Sequence, residues 1–279
     1  MRTDSLPATV PRLYDGYLFD LDGTVYLGDQ LLPGAFELIT RLRELGRQTV
    51  FLSNNATRDP EMYAEKLGRL GLPTPVSHIV NTVVTLRTWL LENAPDAGVF
   101  VIGEEPLQRS LREAGLRLTD RPEEIDIVVA SYDRGFDYRK LQIAFDALWH
   151  NGRARLVQTN PDRYCPMPGG RGEPDAAAVT AAIVASTGVP CEVNVGKPSR
   201  LMLEAAVGTL RLSAPDCIMV GDRLQTDIAM AVDAGVHSAL VLTGDSTRAD
   251  VADTSADRRP TYVLDRIDDL LGGPLWVDA

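Results

Sequence analysis

The stretch "YLFDLDGTVYL", residues 17–27, places Asp20 and Asp22 at the end of an apolar run, with a Gly-Thr pair directly after them. A short apolar run that ends in turn-forming residues is typical of a buried strand in a parallel sheet. Residues i and i+2 of a strand face the same side, so we expect the two carboxylates to repel unless a cation lies between them. Protonation of one carboxylate would relieve the same repulsion, and a lone D-x-D-G also fits a polar turn without any function.

Short apolar segments alternate with amphipathic ones on either side of this stretch. The segments "GAFELITRLRELG", "QTVFLSNN" and "DPEMYAEKLGRLG" follow it and predict a helix, a strand and a second helix. In the first helix the apolar residues at helical spacing are Phe36, Ile39, Leu42 and Leu45. In the second helix Asp59 is the expected N-cap, with Pro60 at the first position. This order predicts an α/β fold with a doubly wound parallel sheet and helices on both faces.

The same alternation continues to the end of the chain and bears on its domain organisation. "AGVFVIG", "EIDIVVAS" and "ARLVQTN" predict strands in the middle, and "DCIMVGD" and "HSALVLTG" predict strands near the end. One sheet of about ten parallel strands would be large for a single domain, so we expect two α/β units. The strongest loop signal is the Pro/Gly-rich segment "CPMPGGRGEP" at residues 165–174. These patterns leave open whether the middle unit is an insertion.

The charge of the chain bears on its partners. Its 279 residues are 44% hydrophobic and 24% charged, with a formal net charge of −11 and a pI near 4.8. Nucleic acids are poor partners, because binding a polyphosphate backbone needs a cationic surface. The same charge disfavours an anionic membrane surface, and no run approaches the roughly 18 apolar residues that a membrane helix needs. Small anions remain candidate substrates where a metal or a lysine supplies positive charge.

The cysteines and the first residues bear on location. Cys165, Cys191 and Cys217 are odd in number and far apart, and none belongs to a C-x-x-C pair. This pattern favours neither a disulfide framework nor a structural zinc site, and it fits a reducing compartment. The segment "MRTDSLPATVPRLYDG" lacks the apolar core of a signal peptide. We therefore expect a cytoplasmic protein.

Polar residues follow four of the predicted strands, in "FDLDGT" (19–24), "LSNN" (52–55), "VGKP" (195–198) and "VGDRLQTD" (220–227). Ligands of open α/β sheets bind at the carboxyl edge of the strands. We therefore expect one crevice to gather Asp20, Asp22, Ser53, Asn54, Lys197, Asp222 and Asp227. Each motif alone has an ordinary explanation, such as a capped turn, a solvated lysine or an acid at a helix start. Their occurrence in order, each after an apolar segment, favours a functional site.

The residue types in this crevice point to phosphoryl chemistry. Asp20, Asp22 and Asp222 are hard oxygen donors without histidine or cysteine, a set that suits Mg²⁺. Lys197 offers a compact positive charge for a phosphate. The further hydrogen-bond donors are Ser53 and the backbone N–H groups of Gly23 and Asn54. Charge neutralisation, a nucleophile and a proton carrier are the parts that phosphoryl transfer needs.

The four motifs together resemble the haloacid dehalogenase superfamily of phosphotransferases. The matching residues are Asp20-Leu21-Asp22-Gly23-Thr24, Ser53, Lys197, and "GDRLQTD" with Asp222 and Asp227. The segments "DGTVYLGDQLLPGA", "YDRGFDYRKLQIAFDAL" and "TNPDRYCP" are similar to one branch, the subfamily IIA p-nitrophenylphosphatase and NagD-like sugar phosphatases. The likeness covers roughly residues 14–270. It implies a Rossmann-like catalytic core of residues 1–83 plus 190–279 and an inserted α/β cap of the C2 type at residues 84–189.

The resemblance also implies a role for each site residue. Asp20 would attack phosphorus to form an aspartyl-phosphate, and Asp22 would protonate the leaving alcohol and then deprotonate the attacking water. The Asp20 carboxylate, the Asp22 backbone carbonyl and Asp222 would bind Mg²⁺, with Asp227 holding the metal's waters. The residues that the resemblance implies as ligands of the phosphoryl oxygens are Ser53, Asn54, Asn55 and Lys197.

The function that the resemblance implies is that of a Mg²⁺-dependent phosphomonoesterase for small phosphorylated metabolites, with sugar or polyol phosphates expected. A non-catalytic phosphometabolite-binding protein and a phosphotransferase or mutase are the alternatives on the same scaffold. The resemblance also suggests a homodimer formed through the cap. The physiological substrate is not determined by these motifs.

The cap departs from the branch at one place. Where the branch usually has P-G-x-G, this chain reads Pro174-Asp175-Ala176-Ala177, with Glu173 before it. The added carboxylates would favour hydroxyl-rich or cationic leaving groups over carboxylated ones such as phosphoglycolate. Equally, Asp175 would serve as the N-cap of the helix "AAAVTAAIVAST". In "TNPDRYCP", the candidate contacts to the leaving group are Asp162, Arg163 and Tyr164.

Overall fold

Strands and helices alternate along the chain in the computed structural model, which describes residues 6–7, 9–167 and 170–271. The strands are β1 (Gly16–Asp20), β2 (Tyr26–Leu27), β3 (Gln30–Leu31), β4 (Gln48–Ser53), β5 (Ile79–Asn81), β6 (Gly98–Ile102), β7 (Arg117–Leu118), β8 (Ile127–Ala130), β9 (Arg155–Gln158), β10 (Tyr164–Met167), β11 (Arg171–Pro174), β12 (Cys191–Asn194), β13 (Cys217–Gly221), β14 (His237–Val241) and β15 (Tyr262–Leu264). The helices are α1 (Ala35–Glu44), α2 (Pro60–Arg69), α3 (Thr82–Asn93), α4 (Glu105–Glu113), α5 (Tyr138–Phe145), α6 (Ala176–Thr187), α7 (Arg200–Leu210), α8 (Ala229–Asp233) and α9 (Arg248–Asp253). Within the described ranges, none of these helices has the length and apolarity that crossing a bilayer requires.

One of two compact units comprises Met1–Ser53, Tyr63–Val80 and Leu203–Ala279. Its six-stranded sheet has the order β15-β14-β13-β1-β4-β5. Strand β1 lies between β4 and β13 and is parallel to both, with Asp20 opposite Leu52 and Phe19 opposite Val220. The carboxyl ends of these three strands therefore meet at one edge of the sheet.

The other unit comprises Asn54–Met62 and Asn81–Met202. Its five-stranded sheet has the order β12-β9-β8-β6-β7, and all its pairings are parallel. Along β6, Val99 and Val101 belong to one buried cluster, whereas Phe100 and Ile102 belong to another. This alternation places a core on each face of the sheet, as expected for parallel strands. The prediction of two α/β units is confirmed, whereas the domain bounds 1–83 plus 190–279 and 84–189 stay a prediction.

The first two helices test the sequence predictions in detail. Helix α2 begins at Pro60 as predicted, and the Asp59 side chain accepts the Met62 N–H at 2.9 Å. In α1 the predicted apolar face is partly wrong, because Phe36 is 44% exposed. The residues buried on α1 are Ala35, Leu38, Ile39 and Leu42. These positions follow the i, i+3, i+4, i+7 pattern of one helix face, which Phe36 does not share.

The segment 165–174, predicted as a loop, forms most of an antiparallel hairpin. Strands β10 and β11 pair with Tyr164 opposite Pro174 and Met167 opposite Arg171. The loop prediction was therefore wrong for both strands, and Pro168 and Gly169 lie outside the described residues. Most side chains of the hairpin are half-buried or exposed, so no apolar alternation marks its strands in the sequence.

Candidate active site

Three strand ends of the first unit bring polar residues together. Asp20 is the last residue of β1, Ser53 is the last residue of β4, and Asp222 directly follows β13. Because β1 pairs with both neighbours in register, the three residues lie at the same sheet edge. The expected gathering of strand ends is therefore confirmed for these three residues.

A cluster of buried carboxylates occupies this edge. Asp20, Asp222 and Asp227 each offer an oxygen that lies within 4.8 Å of the oxygens of the other two, and all three are buried. Asp227 lies in a single π-helical turn, Leu224–Ile228, and its Oδ2 accepts the Arg223 N–H at 3.1 Å. Such turns are rare in proteins, and those that occur often lie at functional sites. Three buried carboxylates this close together require protons or a cation to offset their repulsion.

Asp222 is the member of this cluster whose carboxylate most lacks compensation. Its Oδ2 accepts the Asp245 N–H at 2.7 Å, whereas its buried Oδ1 has no hydrogen-bond partner in the described part of the chain. Burial first, and then the charges of Asp20 and Asp227, raise the pKa of Asp222 well above its ordinary value. An unsatisfied buried oxygen among all-oxygen donors fits a hard divalent cation.

Two glycines allow backbone to pack against Asp222. Gly23 has a φ of +90°, and a Cβ added there would lie 2.6 Å from Asp222 Oδ2. A Cβ added to Gly244 would overlap the same oxygen. Both positions therefore need a residue without a side chain, and Gly23 also needs the left-handed conformation.

Asp22 is placed differently from the expectation of two carboxylates on one strand face. Strand β1 ends at Asp20, and Asp22 lies in the following turn, where the Leu21 carbonyl accepts the Val25 N–H at 2.9 Å. The Asp22 side chain is exposed, and the carboxylate cluster contains Asp227 instead. The same-face argument was wrong because the chain leaves the strand conformation before residue 22.

Two tyrosines contact candidate catalytic side chains, and the sequence analysis missed both. The Tyr26 hydroxyl donates to Asp22 Oδ2 at 3.4 Å, and the Tyr63 hydroxyl lies 2.9 Å from Ser53 Oγ. Tyr26 follows the D-x-D-G-T motif by two residues, and Tyr63 lies on α2. Only their place in the fold connects them with the site, since buried tyrosines are common in any core.

Lys197 does not end a strand of the first unit's sheet. It follows β12, which is an edge strand of the second unit's sheet. Lys197 therefore does not share a sheet edge with Asp20, Ser53 and Asp222, and that part of the expectation was wrong. Lys197 is 3% exposed, and Asn54, which belongs to the same unit, bonds its backbone. Asn54 Oδ1 accepts the Lys197 N–H at 2.7 Å, and Asn54 Nδ2 donates to the Lys197 carbonyl at 3.1 Å.

The neighbouring Asn55 is occupied within its own turn. Its Oδ1 accepts the Thr57 N–H at 2.8 Å and the Thr57 hydroxyl at 2.7 Å. Its Nδ2 donates to Cys165 Sγ on β10 at 3.6 Å. The Asn55 side chain therefore orders the turn after β4 and contacts the β10–β11 hairpin.

The acids next to the hairpin have internal partners. Asp175 is buried and is the N-cap of α6, where its side chain accepts the Ala176 N–H at 2.6 Å, so the capping interpretation is confirmed. Glu173 accepts a hydrogen bond from the Tyr132 hydroxyl. Burial and this bond raise the pKa of Tyr132. Of the other candidates, Arg163 and Tyr164 are exposed and Asp162 is half-buried.

Known proteins are similar to this chain in sequence and in fold. A family model described as haloacid dehalogenase-like hydrolase matches residues 17–117, and a second HAD-hydrolase-like model matches residues 194–270. Sugar-phosphatase AraL of Bacillus subtilis is 39% identical over 91% of each chain. 5'-Nucleotidase YutF of the same organism is 34% identical over 92% of this chain and 97% of its own. The crystal structure of 4-nitrophenylphosphatase from Thermotoga maritima superposes with a TM-score of 0.85 at 31% identity, covering 92% of this chain and 95% of the other.

The parallel α/β fold and the carboxylate cluster are those of a Rossmann-like hydrolase with a candidate metal centre at the carboxyl edge of its sheet. The chain belongs to the haloacid dehalogenase-like hydrolase family. Its resemblance to the p-nitrophenylphosphatase and NagD-like branch is confirmed, and the protein is a phosphatase.

Proposed function

We propose that this phosphatase is a Mg²⁺-dependent phosphomonoesterase that acts through an aspartyl-phosphate on small phosphorylated metabolites, with sugar or polyol phosphates as its main substrates. The observation that carries the proposal is the buried cluster of Asp20, Asp222 and Asp227, with Asp222 Oδ1 lacking a hydrogen-bond partner among the described residues. The name of the relative AraL, a sugar phosphatase, supports the substrate class.

The carboxylate cluster is the proposed metal site. Asp20, Asp222 and the backbone carbonyl of Asp22 would hold Mg²⁺, and Asp227 would hold its waters. When bound, the ion would offset the charge of the buried carboxylates and of the phosphoryl group. All-oxygen donors without histidine or cysteine favour Mg²⁺ over softer metals.

Two aspartates divide the proposed chemistry. A carboxylate oxygen of Asp20 attacks phosphorus, and the bond from phosphorus to the ester oxygen breaks. Asp22 donates its proton to the departing alkoxide, which leaves as the alcohol. Asp22 then takes a proton from water, whose oxygen attacks the phosphoryl group and releases inorganic phosphate and the free Asp20 carboxylate. The exposure of Asp22, beside the buried Asp20, suits a group that exchanges protons.

The phosphoryl oxygens are assigned to Ser53, Lys197 and the turn after β4. Because the Asn54 amide bonds both backbone groups of Lys197, the contribution of Asn54 to phosphate is assigned to its backbone N–H. The Asn55 side chain is likewise occupied by Thr57, which favours a backbone contact there too. Lys197 supplies the positive charge.

Gly244→Ala tests whether the close packing against Asp222 matters. The added Cβ would overlap Asp222 Oδ2, so the carboxylate must move. We expect kcat/KM for p-nitrophenyl phosphate to fall by about 10-fold or more, since small displacements of catalytic groups are costly. The Mg²⁺ concentration for half-maximal activity should rise as well.

Gly208→Ala is the matched control for that variant. Gly208 lies within α7, and an added Cβ there meets nothing within 4 Å. Activity should be unchanged, and the free energy of unfolding should rise by about 0.5–1 kcal/mol, because alanine favours a helix over glycine. Equal activity of the two alanine variants would contradict the proposed role of the Asp222 environment.

A substrate panel tests the proposed specificity, with release of free phosphate as the readout. We expect higher kcat/KM for sugar and polyol phosphates than for phosphoglycolate, because the half-buried Glu173 on β11 adds negative charge to the hairpin. Nucleoside 5'-monophosphates belong in the panel, since YutF is named a 5'-nucleotidase. A preference for phosphoglycolate would contradict this specificity. Ligand binding without phosphate release would favour a binding protein, and phosphate transfer to a second sugar would favour a mutase.

The cap and its dimer belong to the same proposal. Residues 84–189 would act as the cap, and residues 1–83 with 190–279 as the catalytic core. The second unit exposes two aromatic side chains, Tyr138 at 80% and Trp149 at 60%, which are candidates for a contact between two copies. Sedimentation of the wild-type chain would distinguish one copy from two.

A further inference from the structure

We propose that Asn160 and Asp162 are positioning residues that tie the β10–β11 hairpin to the backbone of Lys197. They do so through a hydrogen-bonded series of side chains, the Asn160 relay, which consists of Asn54, Asp162, Asn160 and Asp175. All of these residues belong to the second unit. The inference rests on the proposed function in one respect, namely that Lys197 binds the phosphoryl group.

The relay begins at Lys197. Asn54 bonds both the N–H and the carbonyl of Lys197, so its amide orientation is determined by the lysine backbone. Gly196 permits this close approach, because a Cβ there would lie 2.7 Å from Asn54 Oδ1 and would overlap the Thr159 carbonyl. The position of Lys197 is therefore determined through hydrogen bonds to its main chain.

Asp162 links Asn54 to Asn160. Its Oδ2 accepts from Asn54 Nδ2 at 2.9 Å and from Asn160 Nδ2 at 3.0 Å. One carboxylate oxygen thus receives two amide donors that lie far apart in the sequence. Hydrogen bonds to an ionised acceptor are stronger than neutral ones, so this shared oxygen is the central contact of the relay.

Asn160 continues the relay to the other end of the hairpin. Its Nδ2 also donates to Asp175 Oδ1 at 3.1 Å, and its side chain is fully buried. The Thr159 hydroxyl donates to Asn160 Oδ1 at 2.8 Å, which directs the Nδ2 group toward the two aspartates. A buried amide with its oxygen and nitrogen both occupied can adopt only one orientation.

The two aspartates flank the hairpin. Asp162 lies two residues before β10, and Asp175 directly follows β11. Main-chain bonds support the same junction, with Asp175 N–H donating to the Arg163 carbonyl at 3.1 Å and Ala177 N–H donating to the Asp162 carbonyl at 3.1 Å. Asn160 therefore joins the two ends of the hairpin, and Asp162 connects them to Asn54, which bonds the Lys197 backbone.

This arrangement changes the interpretation of the candidate specificity residues. Arg163 and Tyr164 are exposed and remain candidates for contacts to the leaving group. Asp162 and Asp175 instead fix the two ends of the hairpin beside which Arg163 and Tyr164 lie. A shift of the hairpin would therefore alter both leaving-group recognition and the position of Lys197.

Asn160→Ala, Asp162→Ala and Asp162→Asn test the relay. The readouts are the Kd of inorganic phosphate, measured by calorimetry in the presence of Mg²⁺, and KM and kcat for p-nitrophenyl phosphate and a sugar phosphate. We expect the two alanine variants to raise the phosphate Kd and the KM values by about 10-fold to 100-fold. Asp162→Asn should recover most of this loss, because its amide oxygen can accept from both asparagines. Asn151→Ala, at an exposed position of the same unit, is the matched control and should behave as wild type.

A double-mutant cycle separates a relay from general destabilisation. Asn160→Ala should add little to the phosphate Kd in an Asn54→Ala background, since the connection to Lys197 is then already broken. If the fold-increases in phosphate Kd of Asn54→Ala and Asn160→Ala multiply in the double variant, the two residues act independently and the proposal is overturned. Equal losses in Asp162→Asn and Asp162→Ala would overturn it as well. If Asn160→Ala does not fold, the comparison of the two Asp162 variants still decides.

The outcome can be separated from that of the proposed function, because phosphate binding needs no turnover. If the wild type turns over no phosphate ester and the relay variants still weaken phosphate binding in the expected pattern, only the proposed function fails. If the wild type hydrolyses esters and the alanine variants bind phosphate as the wild type does, only the relay is wrong.

Discussion

Asp20→Asn is expected to lower kcat for p-nitrophenyl phosphate by on the order of 10⁴-fold, because an amide oxygen is too weak a nucleophile to form the phosphoryl intermediate. Asp20 is the last residue of β1 and is buried beside Asp222 and Asp227. The substitution keeps the size of the side chain and removes one of three crowded negative charges. The folded state should therefore persist, and the thermal midpoint without metal should not fall.

The measurement is phosphate release at saturating Mg²⁺, with the thermal midpoint recorded for each variant. Asp253→Asn supplies the matched control, since Asp253 is exposed at the end of α9 and the same chemical change there should leave kcat unaltered. Turnover that persisted in Asp20→Asn would refute the nucleophile assignment. A loss shared with Asp253→Asn would point to a cause outside the site.

Removal of divalent metal is expected to abolish activity and to lower the thermal midpoint. With EDTA, phosphate release should fall to background, and added Mg²⁺ should restore it. A ligand present at 100 times its Kd stabilises the folded state by about 2.7 kcal/mol. For a unit of this size we expect Mg²⁺ to raise the midpoint by roughly 5–10 °C.

The size of this metal effect should depend on pH. Burial, with the charges of Asp20 and Asp227, raises the pKa of Asp222, so the metal-free folded chain keeps a proton that the unfolded chain has lost above about pH 4. That stability is complete at low pH and is lost as the pH rises through the folded pKa. Mg²⁺ displaces the proton and relieves the repulsion, so the midpoint increase should be larger near pH 8 than near pH 5.

Asp222→Asn is the variant that connects the metal effect to this cluster. It should lose most of the Mg²⁺-induced midpoint increase, whereas Asp253→Asn should keep it. An undiminished increase in Asp222→Asn would place the metal elsewhere. A midpoint increase independent of pH would show that Asp222 does not titrate with its pKa raised in the metal-free protein.

Much of the core could be predicted because its signals are local. The apolar run ending at Asp20 and the Asp59-Pro60 start of α2 both lie within a few residues of the structure that they determine. The edge that gathers Asp20, Ser53 and Asp222 follows from a general rule, since parallel strands present their carboxyl ends together. Apolar periodicity and turn-forming residues were sufficient to predict these elements.

The site within that edge could not be predicted as fully. The Asp22 carboxylate was expected beside that of Asp20, because the strand was assumed to continue past Asp20; the buried carboxylate cluster instead contains Asp227, from the turn Leu224–Ile228. A difference of two residues in the end of a strand decides which side chain is buried. Periodicity does not determine element ends with that accuracy.

The sequence by itself determined the fold class, the two α/β units and the residue types of the site, because hydrophobic periodicity and strand-end polarity are properties of neighbouring residues. Only the tertiary structure decided that the strand before Lys197 belongs to the second sheet, and that Asn160 lies between Asp162 and Asp175. The bond from Lys197 to Asn54 joins residues 143 positions apart. Such contacts depend on which strands pair and on which side chains share a buried space, and these are outcomes of packing the whole chain.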